Sequence, residues 1–289
     1  MGRIIATLAL VLVVAACGRT CPPAATAVSA PTAPGGSPAV IGQTFTLTSK
    51  VLGEDRIVNV YLPPGYAESK DSYPVLYMPD GGMDEDFPHI SGHLDVSIKN
   101  AVIRPVILVG VKNTERRRDL APPTAIEEEK KAAPHAGGSD KFRQFLREEL
   151  KPWVAAHYRV TAESGLIGES LAGLFAIETL VVEPSLFDIY IAADPSLWWN
   201  QLAVVKTAEA RFATWSESPK QLFVATGDLK DMQEGAAALV KAIAEKQPAG
   251  LTVTYVPMPE EQHGTIFPFA ALRGIRTVYA APPAPAAAQ

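Results

Sequence analysis

The stretch "GLIGESLAGLFAIETL", Gly165–Leu180, decides how this chain is read. A short apolar run ends at Gly168, one residue intervenes, Ser170 follows, and a helix-like apolar run begins at Leu171. The pattern is one glycine short of G-x-S-x-G, because the fifth position is Ala172 and the glycine comes next, at Gly173. A strand that turns sharply into a helix is expected here. Such a turn serves one of two purposes. It exposes the serine as a nucleophile in strained backbone, or it uses the serine as a helix N-cap. The first reading needs small neighbours, and Gly168 supplies one, but the stretch taken alone does not decide between the two.

Similar apolar runs recur on both sides of this stretch. "YPVLYMPDGG", "RPVILVGVKN", "FDIYIAADPS", "QLFVATGD" and "LTVTYVPMP" each hold four to seven apolar residues bounded by turn residues. Runs of this kind read as strands buried on both faces. Helix-length stretches separate them. "SDKFRQFLREELKPWVAAHY" opens on a Ser-Asp cap and places Phe142, Phe145, Leu146, Leu150 and Trp153 on one face. "DMQEGAAALVKAIAEK" and Thr265–Tyr279 are read as further helices. Upstream, the alternation around "GED" predicts an antiparallel hairpin, Phe45–Val51 with Ile57–Leu62. The expected fold class is α/β, a mostly parallel twisted sheet of about eight strands with helices on both faces. Ser170 then follows the fifth strand, and chemistry gathers at the carboxyl ends of such strands.

A nucleophilic serine needs a base, an acid to orient the base, and donors for the oxyanion. Of the five histidines, His263 in "EEQHG" lies just after the last expected strand, where a loop can reach across the strand ends. The acid is expected after the seventh strand. Asp228 in "ATGDLKD" is favoured, with Asp231, Glu234, Glu260 and Glu261 as rivals, or no acid at all. The Leu171 N–H, at the start of a helix, is the first oxyanion donor. The second is sought in Gly81 or Gly82 after the third strand. Trp198 and Trp199, His89 and Arg118 are candidate substrate-binding residues. His89 and His93 are spaced for one helix face, but no third ligand accompanies them, so no metal is expected and no cofactor is implied. Residues 122–138, an insertion before the next helix, are expected to form a flap over the pocket.

The ends of the chain have a different composition. Arg3 precedes the apolar run Ile4–Ala16, which is too short to span a bilayer and reads as an export signal. It ends in "VAAC", so Cys17 is expected to be lipidated, as in bacterial lipoproteins. The domain organisation follows: signal peptide 1–16, a Pro/Ala-rich tether 17–40, a catalytic domain 41–280 and a disordered tail 281–289. The expected location is the bacterial cell envelope, lipid-anchored on a periplasm-facing outer membrane, with secretion to the periplasm as the alternative. The membrane is therefore an expected partner through the anchor. Nucleic acid is not, since the net charge is −5 and no long basic stripe occurs.

Together, "VNVYLPPGY", "YPVLYMPDGG", "ERRRDL", "GESLAGLF", "DPSLWWN" and "EEQHG" resemble the esterase group of the α/β-hydrolase superfamily. That group includes esterase D-like enzymes and enterobactin-type siderophore esterases. The resemblance covers about Gln43 to Tyr279. It implies an α/β-hydrolase fold, with the nucleophile at Ser170, the base at His263 and an oxyanion N–H at Gly81 or Gly82. The implied function is serine ester hydrolysis of a small-molecule ester, with a siderophore or another envelope ester as substrate. The alternatives are acyl transfer on the same fold and a non-catalytic ligand-binding lipoprotein. Ala172 departs from the usual glycine, and some relatives resemble a Ser–His dyad.

Overall fold

A computed structural model describes residues 37–282. The expected signal peptide, Cys17, most of the tether and most of the tail lie outside the described residues. A compact unit that begins at Val40 holds every element below.

The chain opens with an antiparallel hairpin, β1 (Gln43–Ser49) and β2 (Glu54–Tyr61). Its turn lies a few residues earlier than the expected "GED". Gly53 takes a left-handed φ of 70° and donates its N–H to the Ser49 carbonyl at 3.0 Å. Next come β3 (Tyr73–Pro79), α1 (Phe87–Lys99) and β4 (Ile107–Val111). Two short helices follow, α2 (Arg116–Leu120) just before the insertion and α3 (Glu127–Ala132) within it.

The expected helix from Ser139 is present but not uniform. It runs as α4 (Ser139–Phe145), a wider π turn over Leu146–Leu150, and α5 (Lys151–His157). Pro152 has no N–H to donate and crowds the carbonyl four residues earlier, which accounts for the wider turn just before it. The Ser-Asp cap does not form. Gly138 takes the N-cap position, and Ser139 instead donates to Glu178 at 3.1 Å.

The remainder alternates regularly: β5 (Val160–Glu169), α6 (Leu171–Val182), β6 (Ile189–Ala193), α7 (Trp199–Phe212), β7 (Lys220–Thr226), α8 (Lys230–Lys246), β8 (Leu251–Pro257) and α9 (Ile266–Val278). The strands form one eight-stranded sheet in the order β1-β2-β4-β3-β5-β6-β7-β8. Pairing is antiparallel for β1–β2 and β2–β4, and parallel from β4 to β8.

Burial explains why the central strands lack polar alternation. All residues of β3, β4 and β6 are buried. One face packs on α1 and α9 through Phe87, Ile90, Leu94, Phe267 and Ile275. The other packs on α4, α6, α7 and α8 through Phe142, Phe175, Ile177, Val205 and Leu239. Helix α6 is buried along almost its whole length, which matches its uniformly apolar sequence. The edge strands β1 and β8 are partly exposed, and β1 does alternate.

Candidate active site

Ser170 stands between β5 and α6 at φ 57° and ψ −117°, a region that non-glycine residues rarely adopt. The turn is tight because its neighbours are small. A Cβ on Gly168 would lie 2.5 Å from the Ala172 Cβ, so the methyl at the fifth motif position is accommodated by the missing side chain at the first. A Cβ on Gly173 would press on Pro195 at 3.0 Å, so this glycine lets α6 approach the chain leaving β6. The Ser170 N–H donates to the Ala193 carbonyl at 3.0 Å. Its carbonyl accepts the Leu174 and Ser196 N–H groups at 2.9 and 3.0 Å. These bonds hold the main chain that carries the hydroxyl.

His263 lies on the loop between β8 and α9. Its Nε2 is 3.1 Å from Ser170 Oγ, across 93 residues of sequence. Its Nδ1 is 2.6 Å from the Oδ2 of Asp194. Asp194 is 0% exposed, and its other oxygen accepts the Gly227 N–H at 2.9 Å. A buried carboxylate with both oxygens engaged holds Nδ1 protonated and leaves Nε2 to accept the serine proton. The hydrogen bond to Asp194 is the main reason the imidazole is held above its ordinary value; burial opposes it, and the Glu169 carboxyl adds to it.

The acid therefore follows β6, not β7, and the expectation of Asp228 is corrected. The Asp228 side chain is exposed. Its backbone is what matters: the Asp228 N–H donates to the Glu261 carbonyl at 2.9 Å, beneath the His263 loop. Gly227 allows that approach, since a Cβ there would meet the same carbonyl at 2.7 Å. The rivals are also occupied elsewhere. Asp231 accepts the Met232 N–H, Glu234 faces Lys230 at 3.4 Å, and Glu261 accepts the Thr265 hydroxyl. Glu260 is exposed. The sequence signal for Asp194 was its place directly after the apolar run of β6.

The Leu171 N–H opens α6 and has no acceptor within the helix, as expected of a first oxyanion donor. The two glycines expected to supply the second are otherwise engaged. The Gly81 N–H donates to the Val111 carbonyl at 3.0 Å, and that of Gly82 to the Glu85 carboxylate at 2.7 Å. Gly81 is required for packing, because a Cβ there would lie 2.3 Å from the Gly110 Cα.

A cleft of about 420 Å³ opens above Ser170 and His263. Leu171, Ser196, Met232, Trp198 and Trp199 line it, with Arg116 and Arg117 from α2 and residues of α3. The two tryptophans are thus placed as expected. Arg118 and His89 are not. Arg118 turns away to Glu54 and Asp119, beside the fully buried Arg56. His89 packs edge-on against Phe267 between α1 and α9.

Of two further lining residues, Ser196 escaped the sequence reading, and Arg116 reads there only as part of the charge run Arg116–Arg118, for an anionic substrate or for solvent. Ser196 is 1% exposed and sets its hydroxyl 3.2 Å from Ser170 Oγ. Arg116 holds Asp80 through two parallel contacts, Nε–Oδ1 at 2.7 Å and Nη2–Oδ2 at 2.8 Å. Its Nη2 also reaches the Glu169 carbonyl at 3.3 Å. Burial pushes the Glu169 carboxyl up to about 7, with His263 and Arg116 opposing the shift and Asp86 and Asp80 adding to it. The arrangement can deprotonate a serine hydroxyl, attack a carbonyl and return the proton to a departing oxygen.

The chain is similar to known esterases and serine hydrolases. Residues 49–233, more than half the chain, match the Esterase family model, described as "Putative esterase". The ferri-bacillibactin esterase BesA of Bacillus subtilis is 26% identical over 248 residues, covering 77% of this chain and 85% of that one. A siderophore triacetylfusarinine C esterase of Aspergillus fumigatus is 39% identical over 110 residues, 37% of this chain and 36% of that one. Among solved structures, an IroE-like serine hydrolase from Shewanella oneidensis superposes with a TM-score of 0.77 at 29% identity, covering 82% of this chain and 80% of that one. The chain belongs to the esterase family of α/β hydrolases and is a serine carboxylesterase.

Proposed function

We propose that this protein hydrolyses siderophore-type carboxylic esters through a Ser170–His263–Asp194 triad. The observation that carries the reading is the unbroken path from a buried carboxylate through an imidazole to a serine oxygen, at 2.6 and 3.1 Å. In the first half-reaction Ser170 Oγ attacks the ester carbonyl as its proton moves to His263 Nε2. The Leu171 N–H faces the developing oxyanion. His263 then gives the proton to the leaving alkoxide, and the acyl group stays on Ser170. In the second half-reaction water loses a proton to His263, attacks the same carbonyl and releases the acid. The Asp194 carboxylate steadies the imidazolium through Nδ1.

The substrate class is supported by two observations. Relatives are described as esterases of ferri-bacillibactin, triacetylfusarinine C and salmochelin. The cleft presents two indoles, which suit an aromatic group, and polar rims of both signs from Arg116, Arg117, Glu128 and Glu129. The test is incubation with ferric and iron-free bacillibactin, with chromatography of the linear products. Ester opening that disappears in Ser170→Ala supports the reading. No opening, with p-nitrophenyl acetate still cleaved, moves the substrate to another ester. Products carrying the acyl group on an added acceptor favour transfer over hydrolysis. A tightly bound but intact ester would make the protein a binding module.

We also infer an envelope location through a lipid on Cys17. The support is the apolar run Ile4–Ala16 and the small residues before the cysteine. Among the described residues no helix is long and apolar enough to cross a membrane. Metabolic labelling with radioactive palmitate should mark the full chain and leave Cys17→Ser unlabelled. Labelling of the Cys17→Ser variant would overturn the assignment.

A further inference from the structure

The insertion 122–138 and the turn after β6 build the cleft wall together. Glu128, Glu129, Ala132 and Ala133 come from the first, and Trp198 and Trp199 from the second. The two segments are tied to one another. The Trp199 indole N–H donates to the Pro122 carbonyl at 2.9 Å, and the Ala125 N–H to Asn200 Oδ1 at 3.1 Å. Both carboxylate oxygens of Glu129 face the Asn200 N–H, at 3.0 and 3.1 Å, and one also accepts the Thr124 hydroxyl.

The turn that Glu129 grips is unusual. Asn200, Gln201 and Leu202 follow one another at φ 49°, 54° and 61°, and none is glycine. Left-handed backbone disfavours L side chains, so successive residues hold it only where surrounding contacts over-determine it. The Glu129 carboxylate is such a contact, because it satisfies the Asn200 N–H that the distorted turn leaves without a helical acceptor. Its oxygens are committed to protein donors, so Glu129 acts on the cleft by holding its walls and not by touching the reacting ester.

We propose that Glu129 is a specificity-determining positioning residue: it clamps α3 to the left-handed turn Asn200–Leu202 and thereby sets the width of the cleft between α3 and the two tryptophans for an aromatic group on the ester. The assignment rests on the ester-hydrolase reading. It makes the insertion a fixed wall, where the sequence suggested a flap. Removing the carboxylate frees the Asn200 N–H, lets the turn relax and unseats Trp199. A large flat group then loses its two-sided contact. A small acyl group, which never reached both walls, loses less.

The test compares p-nitrophenyl benzoate with p-nitrophenyl acetate on wild type, Glu129→Ala and Glu129→Gln. Glu129→Ala is expected to raise KM for the benzoate about tenfold while kcat changes less than about threefold, with a smaller KM change for the acetate. Glu129→Gln keeps one acceptor oxygen for the Asn200 N–H and should recover most of the benzoate KM. Hydrogen exchange across 122–138 should quicken in Glu129→Ala. An unchanged benzoate KM overturns the proposal. So does a parallel loss of kcat and Tm with both esters that Glu129→Gln fails to rescue, since that marks a structural role alone. If wild type cleaves neither ester, the hydrolase reading fails separately. Hydrogen exchange then decides the clamp without any ester, and unchanged exchange overturns it.

Discussion

The carboxyl ends of β6 and β7 lie side by side, and each is followed closely by an aspartate. Asp194 comes directly after β6 and Asp228 two residues after β7. Asp194 is 0% exposed and holds His263, whereas Asp228 is exposed and contributes an N–H. The difference lies in how the His263 loop is laid down. The loop rests on Gly227 and the Asp228 N–H through the Glu261 carbonyl, and this places the imidazole over the end of β6. Residues at β7 thus support the loop with their backbone, and the residue at β6 supplies the charge. The same residue type at two adjacent strand ends does different work because one side chain is desolvated against a partner and the other remains in water.

The largest effect that tests this division is loss of the nucleophile. Ser170→Ala should lower kcat about 10⁶-fold, leaving a residue of catalysis from binding and the oxyanion donor. A serine hydrolase probe based on a fluorophosphonate should label wild type and not the variant. Labelling of Ser170→Ala would move the nucleophile elsewhere, with Ser196, 3.2 Å away, as the first place to look.

A smaller effect concerns pH. His263 must be neutral to accept the serine proton, and the Asp194 hydrogen bond favours its charged form. The acid limb of kcat/KM should therefore fall above the ordinary imidazole value of 6.5, and Asp194→Asn should shift it downward. The sign for stability follows from the same shift. The folded-state value lies above the unfolded one, so the favourable contribution is complete below about 6.5 and is lost as pH rises through the folded value. An acid limb unmoved by Asp194→Asn would separate the two groups. The Glu169 carboxyl, pushed up to about 7, would then be the group to replace next.

The smallest effects belong to the residues that the structure removes from the site. Arg118→Ala and His89→Ala should each change kcat/KM by less than about threefold, the range of a surface substitution away from the reaction. Arg116→Ala should do more, since its guanidinium lines the cleft and steadies Asp80 beside the elbow. Equal losses for Arg116 and Arg118 would mean that the two ends of α2 do not differ as described.

Much of this was legible in the sequence, and for physical reasons. Fully apolar runs separated by helix-length stretches give a parallel sheet. The serine after β5 and the histidine after β8 follow from strand order alone. The acid did not, because both aspartates stand between Ser170 and His263 in the chain, and the choice depends on where a loop settles in three dimensions. Gly81 illustrates a related limit. A glycine after β3 suits either an oxyanion donor or close strand packing, and its contact with Gly110 shows the second need. Arg118 was indistinguishable from Arg116 because a short helix sends neighbouring side chains to different faces.

The most direct test of the central claim is a paired measurement of kcat/KM for Asp194→Asn and Asp228→Asn with p-nitrophenyl acetate at pH 8. An amide at 194 keeps the volume but can no longer fix the imidazole tautomer, and a loss of roughly 10⁴-fold in kcat is expected. An amide at 228 leaves the backbone N–H to Glu261 in place, and a change of less than about twofold is expected. A large loss at Asp228, or near-full activity in Asp194→Asn, would contradict the assignment of the acid to the end of β6.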